Sequence, residues 1–261
     1  MINSDLLEVF QEIVHLSERI DTAISKYSSK DSSDEDFFIY HFFHRSFLFG
    51  KSILLLVDNQ FFHEAVLVAR NMMEGLFYFQ AFRFEIISGL PKKWRLYALY
   101  EDYRMAKEEE RPNLLNDYKS ELRSGMVEEA QKEYKFGKRM ENWFRMGSRR
   151  KLAEEIDKRL AERVGYGIGM VSLYDTLYSD FSQITHWTPR GIIIGQRNIS
   201  AALAVCIQSL HTISEYVNKK YQLQFDGDLG SILANYFKIA HRELMRKISG
   251  EKSGISTNQT K

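Results

Sequence analysis

The sequence predicts an all-α fold: an up-and-down helical bundle of about eight or nine helices with a more polar helical insertion. Apolar residues recur at helical spacing through most of the 261 positions. No strand-like alternation persists over adjacent segments, and no internal repeat has the length of a solenoid unit. Only 3 prolines and 15 glycines occur, which argues against a linker-rich or collagenous chain.

Each element follows from local chemistry. Asp5 and Glu8 resemble a capping-box start for a first helix that runs to about Ser25. Residues 27–36 (YSSKDSSDED) form an acidic connection with no apolar period. Asp34 or Asp36 can cap a second helix, Phe37 to Val57, and Asn59 a third, from Gln60 to about Ile87. Gly89 and Pro91 then supply stop chemistry. Helices follow over residues 92–110, 114–136, 149–163 and 170–185, and two more over 198–221 and 229–248. Residues 165–169 carry alternate glycines without the dinucleotide spacing or a Walker lysine, and read as a turn. The helices at 37–57, 60–87, 170–185 and 198–221 are the most apolar and are expected to form the central bundle. The single domain is expected over residues 1–249, with 92–165 as the insertion and 250–261 as a disordered tail.

Charge and cysteine content narrow the function. The 36 Lys+Arg balance 35 Asp+Glu to a net +1, so no global field draws nucleic acid or anionic lipid. The single cysteine, Cys206, excludes an intramolecular disulfide and a cysteine-based zinc site, and fits a reducing compartment. The runs Ile53–Val57 and Ala201–Ile207 fall far short of the roughly 20 residues that span a bilayer. The first residues, MINSDLLEVFQEIV, lack the basic start and apolar run of a secretory signal. The expectation is a cytoplasmic chain with no membrane association and no cofactor.

One cation stands out. On a helical wheel Val66, Met73, Phe77, Gln80 and Phe84 form a narrow stripe, and Arg70 falls about 40° from Val66, inside it. A guanidinium aimed at a core must be paired, and Glu74, one turn on, is the nearest candidate. Such a pair is either a clamp within the bundle or an anion-binding pocket, for which Arg70 and Tyr178 are the ligand-binding candidates. Tyr174, Tyr178, Ser182 and His186 recur every four residues on a later helix. His186 falls at that helix's C-terminus, where the dipole favours its protonated form. Arg70, Glu74, Ser182 and His186 are the candidate catalytic group, provided that the two helices face each other.

The strings ARNMMEGLFYFQAF (69–82) and YSDFSQITHWTPRG (178–191) resemble a family of uncharacterised bacterial helical proteins, a domain of unknown function. The resemblance implies an Arg-x-x-x-Glu on one helix, matched by Arg70 and Glu74, and a Ser-x-x-x-His near the end of another, matched by Ser182 and His186. It brings no activity with it. Helical ribonucleases of toxin and phage-defence systems carry an Arg-x(4–6)-His signature. Neither Arg70 nor Arg197 is followed by such a histidine, so the chain departs from that pattern.

Weaker constellations complete the reading. Glu12 and His15 have the spacing of a carboxylate-bridged metal pair, but no second pair exists. His41 and His44 share a helix turn without a third ligand, so packing and hydrogen bonding are expected of them and no metal. Between Lys132 and Arg163 eleven basic residues face six acidic ones, interleaved with Tyr134, Phe136, Trp143 and Phe144. Arg149, Arg150 and Lys151 are therefore the nucleic-acid-binding candidates. The function these features favour is an interaction or regulatory module that binds a protein partner or itself. The alternatives are a hydrolase or ribonuclease built on the Arg70 group, and RNA or DNA binding through residues 132–163.

Overall fold

The computed structural model describes residues 3–29, 31–97, 126–134, 148–164, 169–178, 180–181 and 198–248, and among them every regular element is helical. Helix α1 is Ser4–Ile24. Its cap is Asn3, whose side chain accepts the Leu6 N–H at 3.3 Å, and Asp5 lies in the first turn near the positive end of the dipole. A 3₁₀ turn over Ser25–Ser28 follows. Helix α2 is Asp34–Asp58 and starts three residues earlier than the sequence suggests. Ser33 caps it in place of an aspartate, accepting the Asp36 N–H at 3.0 Å, so that all three acids can occupy the first turn.

Helix α3 is Phe62–Arg83. Asn59 closes α2 instead of opening α3: its side-chain amide donates back to the Leu55 carbonyl at 2.8 Å. The helix ends well before Ile87, because Glu85 takes a left-handed conformation with φ 54°. Gly89, also left-handed at φ 64°, accepts the Lys93 N–H at 3.0 Å and starts a helix over residues 90–97, α4. Gly89 and Pro91 thus open a helix; proline suits the first turn, whose N–H groups lack partners anyway. Next come α5 (Met126–Tyr134), α6 (Arg149–Val164) and α7 (Met170–Leu173), which runs into a π-helical turn, Tyr174–Tyr178. The last two are α8 (Ile199–Tyr221) and α9 (Asp226–Ile248).

Helices α1, α2, α3 and α8 pack on one another as the centre of the bundle, and α9 lies against α1 and α8. The apolar content of the helix from Met170 predicts it in that centre; α1 takes the place instead. The reason is its continuous apolar stripe, in which Phe10, Ile13, Ile20 and Ile24 are wholly buried. Residues 170–178 lie against α6 and, through Tyr174 and Tyr178, beside Phe77 of α3. Leu152, Ala153, Ile156 and Leu160 of α6 join the main core, so this part of the polar segment is anchored by burial. At the crossing of α1, α2 and α8, Gly50 lets the helices close: a Cβ there would stand 3.0 Å from Val14 Cγ2 and 3.2 Å from Leu210 Cδ1. No helix among the described residues is long and apolar enough to cross a membrane.

Candidate functional site: a four-residue cluster beside a cavity

The apolar stripe of α3 is buried as its wheel implies: Val66, Met73, Phe77, Gln80 and Phe84 are all in the interior. Arg70, which the wheel puts inside that stripe, is only half-buried and lies at its edge, as does Glu74 on the flank. They reach each other through a third residue. Arg70 Nη2 donates to the Tyr178 hydroxyl at 2.9 Å, and its guanidinium lies 4.8 Å from the Tyr178 ring centre. The Tyr178 hydroxyl donates in turn to Glu74 Oε2 at 3.4 Å. The direct ion pair of Glu74 is with Arg149 at the start of α6, whose Nε donates to Oε1 at 2.8 Å while Nη2 contacts the same oxygen. Tyr78, one turn beyond Glu74, donates to Oε1 at 3.3 Å.

The π-turn sets this geometry. Asp157 of α6 accepts the Met170 and Val171 amides at 3.0 and 2.9 Å, pinning the N-terminus of α7 to α6. Gly169, at φ 75°, makes the turn into that contact. Tyr174 and Tyr178 then stack at 4.9 Å between ring centres, which holds the Tyr178 hydroxyl over α3. Burial, then the charge of Glu74, raise the Tyr178 and Tyr78 hydroxyls above the usual tyrosine value. Both therefore stay protonated donors at neutral pH. Burial works against the charge on Arg149, but the Glu74 carboxylate outweighs it and the guanidinium titrates above its ordinary range.

Two of the remaining candidates fall outside the described residues, and the others make contacts of their own. Ser182 and His186 lie outside the described residues. Arg150 pairs with Asp175 at 3.0 Å and with Glu154, and Lys151 is exposed. His44 Nδ1 sits 3.0 Å from Asp21, and His41 is enclosed by Phe37, Tyr40 and Trp94. Burial, His44 and Arg95 depress the His41 imidazole, so it is neutral. Glu12 and His15 are exposed on α1. Arg95, unremarked in the sequence, is almost fully buried, paired with Asp34 at 3.1 Å and stacked 4.2 Å from the Phe37 ring centre. It ties α4 to the start of α2.

Sequence reasoning did not find Arg149 as the partner of Glu74. The two are 75 positions apart, and only the docking of α6 on α3 joins them. Tyr78 was within reach, since Glu74 and Tyr78 are spaced as one helical turn.

The fold and the cluster define an all-α bundle with an Arg–Tyr–Glu–Arg cluster on its flank. The chain belongs to a family of unknown function (DUF5677), whose model matches residues 36–199. That span contains all four residues of the cluster, whereas α1 and α9 lie beyond it. No curated protein and no solved structure matches the chain.

Proposed function

We propose that the chain is an interaction or regulatory module rather than a hydrolase, and that its polar cluster is a clasp between α3, α6 and the π-turn. One observation carries this reading: the Glu74 carboxylate is filled by Arg149, Tyr78 and Tyr178. A general base needs a free lone pair aimed at the proton it takes, and this carboxylate is spent on holding three elements together. Arg149, similarly, is engaged inside the cluster and Arg150 in ion pairs, which supports nucleic-acid binding by these residues less than the sequence did.

The engaging surface is on α9. Phe237, Leu244 and Met245 are each at least half exposed. On the helical wheel Leu233, Phe237 and Leu244 fall within about 40° of one another, a stripe beside the buried face. Charges of both signs flank it: Arg242 holds Asp5 at 2.7 Å and Arg246 holds Glu243 at 3.1 Å. An apolar strip bordered by both signs is self-complementary, as a two-fold interface requires, and a net charge of +1 opposes no second copy. The partner proposed is therefore another copy of this chain. Size-exclusion chromatography with light scattering gives a dimer for the natural chain and a monomer for Leu244→Glu. A monomer at every concentration for the natural chain overturns the self-association.

A further inference from the structure

A cavity of about 760 Å³ opens between α3, α6, α7 with its π-turn, α8 and α9. That is the size range of small-molecule sites, roughly 300–1,000 Å³. Its walls are apolar, with Leu76, Leu160, Met170, Leu173 and Tyr236 among them. Two cations, Arg83 and Arg163, stand on its lining, and among the described residues no carboxylate does. Their guanidinium carbons lie 5.5 and 5.7 Å from the ring centre of the same residue, Phe84. Neither makes an ion pair among the described residues. Glu215, whose carboxyl feels the charge of Arg83, is held by Lys219 Nζ at 2.6 Å.

Gln80 adds an independent sign. It lines the cavity, is only 5% exposed, and its Oε1 has no hydrogen-bond partner among the described residues. A buried amide oxygen left without a donor is costly, and a half-turn of the amide exchanges its acceptor and donor ends. Two unpaired cations converging on one ring, an apolar chamber beneath them and an unsatisfied amide inside it are complementary to one kind of molecule.

We infer that this cavity binds a small organic anion with a flat ring body, its phosphate or carboxylate head on Arg83 and Arg163 and a ring N–H or polar edge toward Gln80. The Arg pair supplies charge-assisted hydrogen bonds, and Leu76, Leu160 and Leu173 enclose the body. Ser172 and Thr212 line the same chamber and offer hydroxyls to further polar atoms. Leu233 and Phe237 of the α9 stripe also line this chamber, but Arg83, Arg163 and Leu173, the positions varied below, lie on other helices, so the two proposals are tested apart.

The test uses the full chain and 8-anilinonaphthalene-1-sulfonate, an anion with a flat naphthalene body and an N–H, read by fluorescence and calorimetry. One site per chain is expected, with competition by 2-naphthyl phosphate or 2-naphthoate and none by inorganic phosphate or neutral 2-naphthol. Competition by the phosphate alone, or by the carboxylate alone, supports the site and assigns its head group. The double variant Arg83→Gln/Arg163→Gln, at a half-buried and an exposed side chain, is expected to weaken binding by at least about tenfold. Leu173→Trp, which intrudes on the chamber, is expected to weaken it with the helical circular dichroism unchanged. No binding, binding indifferent to the Arg pair, or equal competition by inorganic phosphate overturns the inference.

Discussion

Arg149 at the first position of α6 donates through Nε to Glu74 Oε1 in the middle of α3 at 2.8 Å, and this contact fastens to α3 a helix whose apolar face is already buried in the core. The carboxylate is 19% exposed and the guanidinium 41%, so the pair is partly desolvated and stronger than a surface bridge, though still softened by water. The π-turn completes it through Tyr178, which links Arg70 to the same carboxylate.

Glu74→Gln keeps the shape of this side chain and removes its charge. We expect a loss of about 1–3 kcal/mol in urea denaturation, the worth of hydrogen bonds to a charged group. Combining it with Arg149→Gln should cost less than the two separate losses added, since both remove one interaction. Asp175→Asn, which breaks the exposed Arg150 pair, is expected to leave the denaturation midpoint unchanged. A null effect of Glu74→Gln contradicts the clasp.

Asp157 holds the start of α7 through two backbone amides. Asp157→Ala is expected to cost about 0.5–2 kcal/mol, as removal of a helix cap does. Hydrogen exchange offers the more specific reading: the Met170 and Val171 amides should lose protection, while those of α8 keep theirs.

Gly50 marks the closest approach of α2 to α1 and α8. Gly50→Val pushes atoms into Val14 and Leu210, both buried. Overpacking of this kind destabilises by about 1–3 kcal/mol, visible as a lower thermal midpoint. A midpoint at or above that of the natural chain would show that these helices can separate freely.

Two histidines make stability depend on pH. Burial, with His44 and Arg95, lowers the His41 imidazole below the ordinary 6.5. Burial also lowers His211, against the hydrogen bond to the Leu229 carbonyl. Below pH 6.5 the unfolded chain then binds protons that the folded chain refuses, so stability falls as pH drops from 6.5 towards the folded values, and levels off beneath them. His41→Phe and His211→Gln should each flatten that slope in denaturation series at stepped pH. A slope unchanged in both variants would assign the acid sensitivity elsewhere.

The helical class, the positions of α1, α2, α3, α6, α8 and α9, and the inward stripe of α3 could be read in the chain itself, because periodicity and capping are local properties. The errors are local competitions too. Ser33 outbids Asp34 and Asp36 as a cap, Asn59 turns back on α2, and Gly89 begins a helix rather than ending one. Arg70 and Glu74 were legible as a polar interruption in an apolar stripe. Their partners were not, since Arg149 and Tyr178 reach them only when α6 and the π-turn dock on α3, contacts that span 75 to 108 positions. The cavity is a tertiary property: Arg83 and Arg163 each lie at an unremarkable helix end, and only packing brings Arg163 to the Phe84 ring that Arg83 neighbours in the chain. Sequence spacing determines which side chains share a face of one helix. Which faces meet depends on how whole helices bury their stripes together, and that decided where the charges of this protein converge.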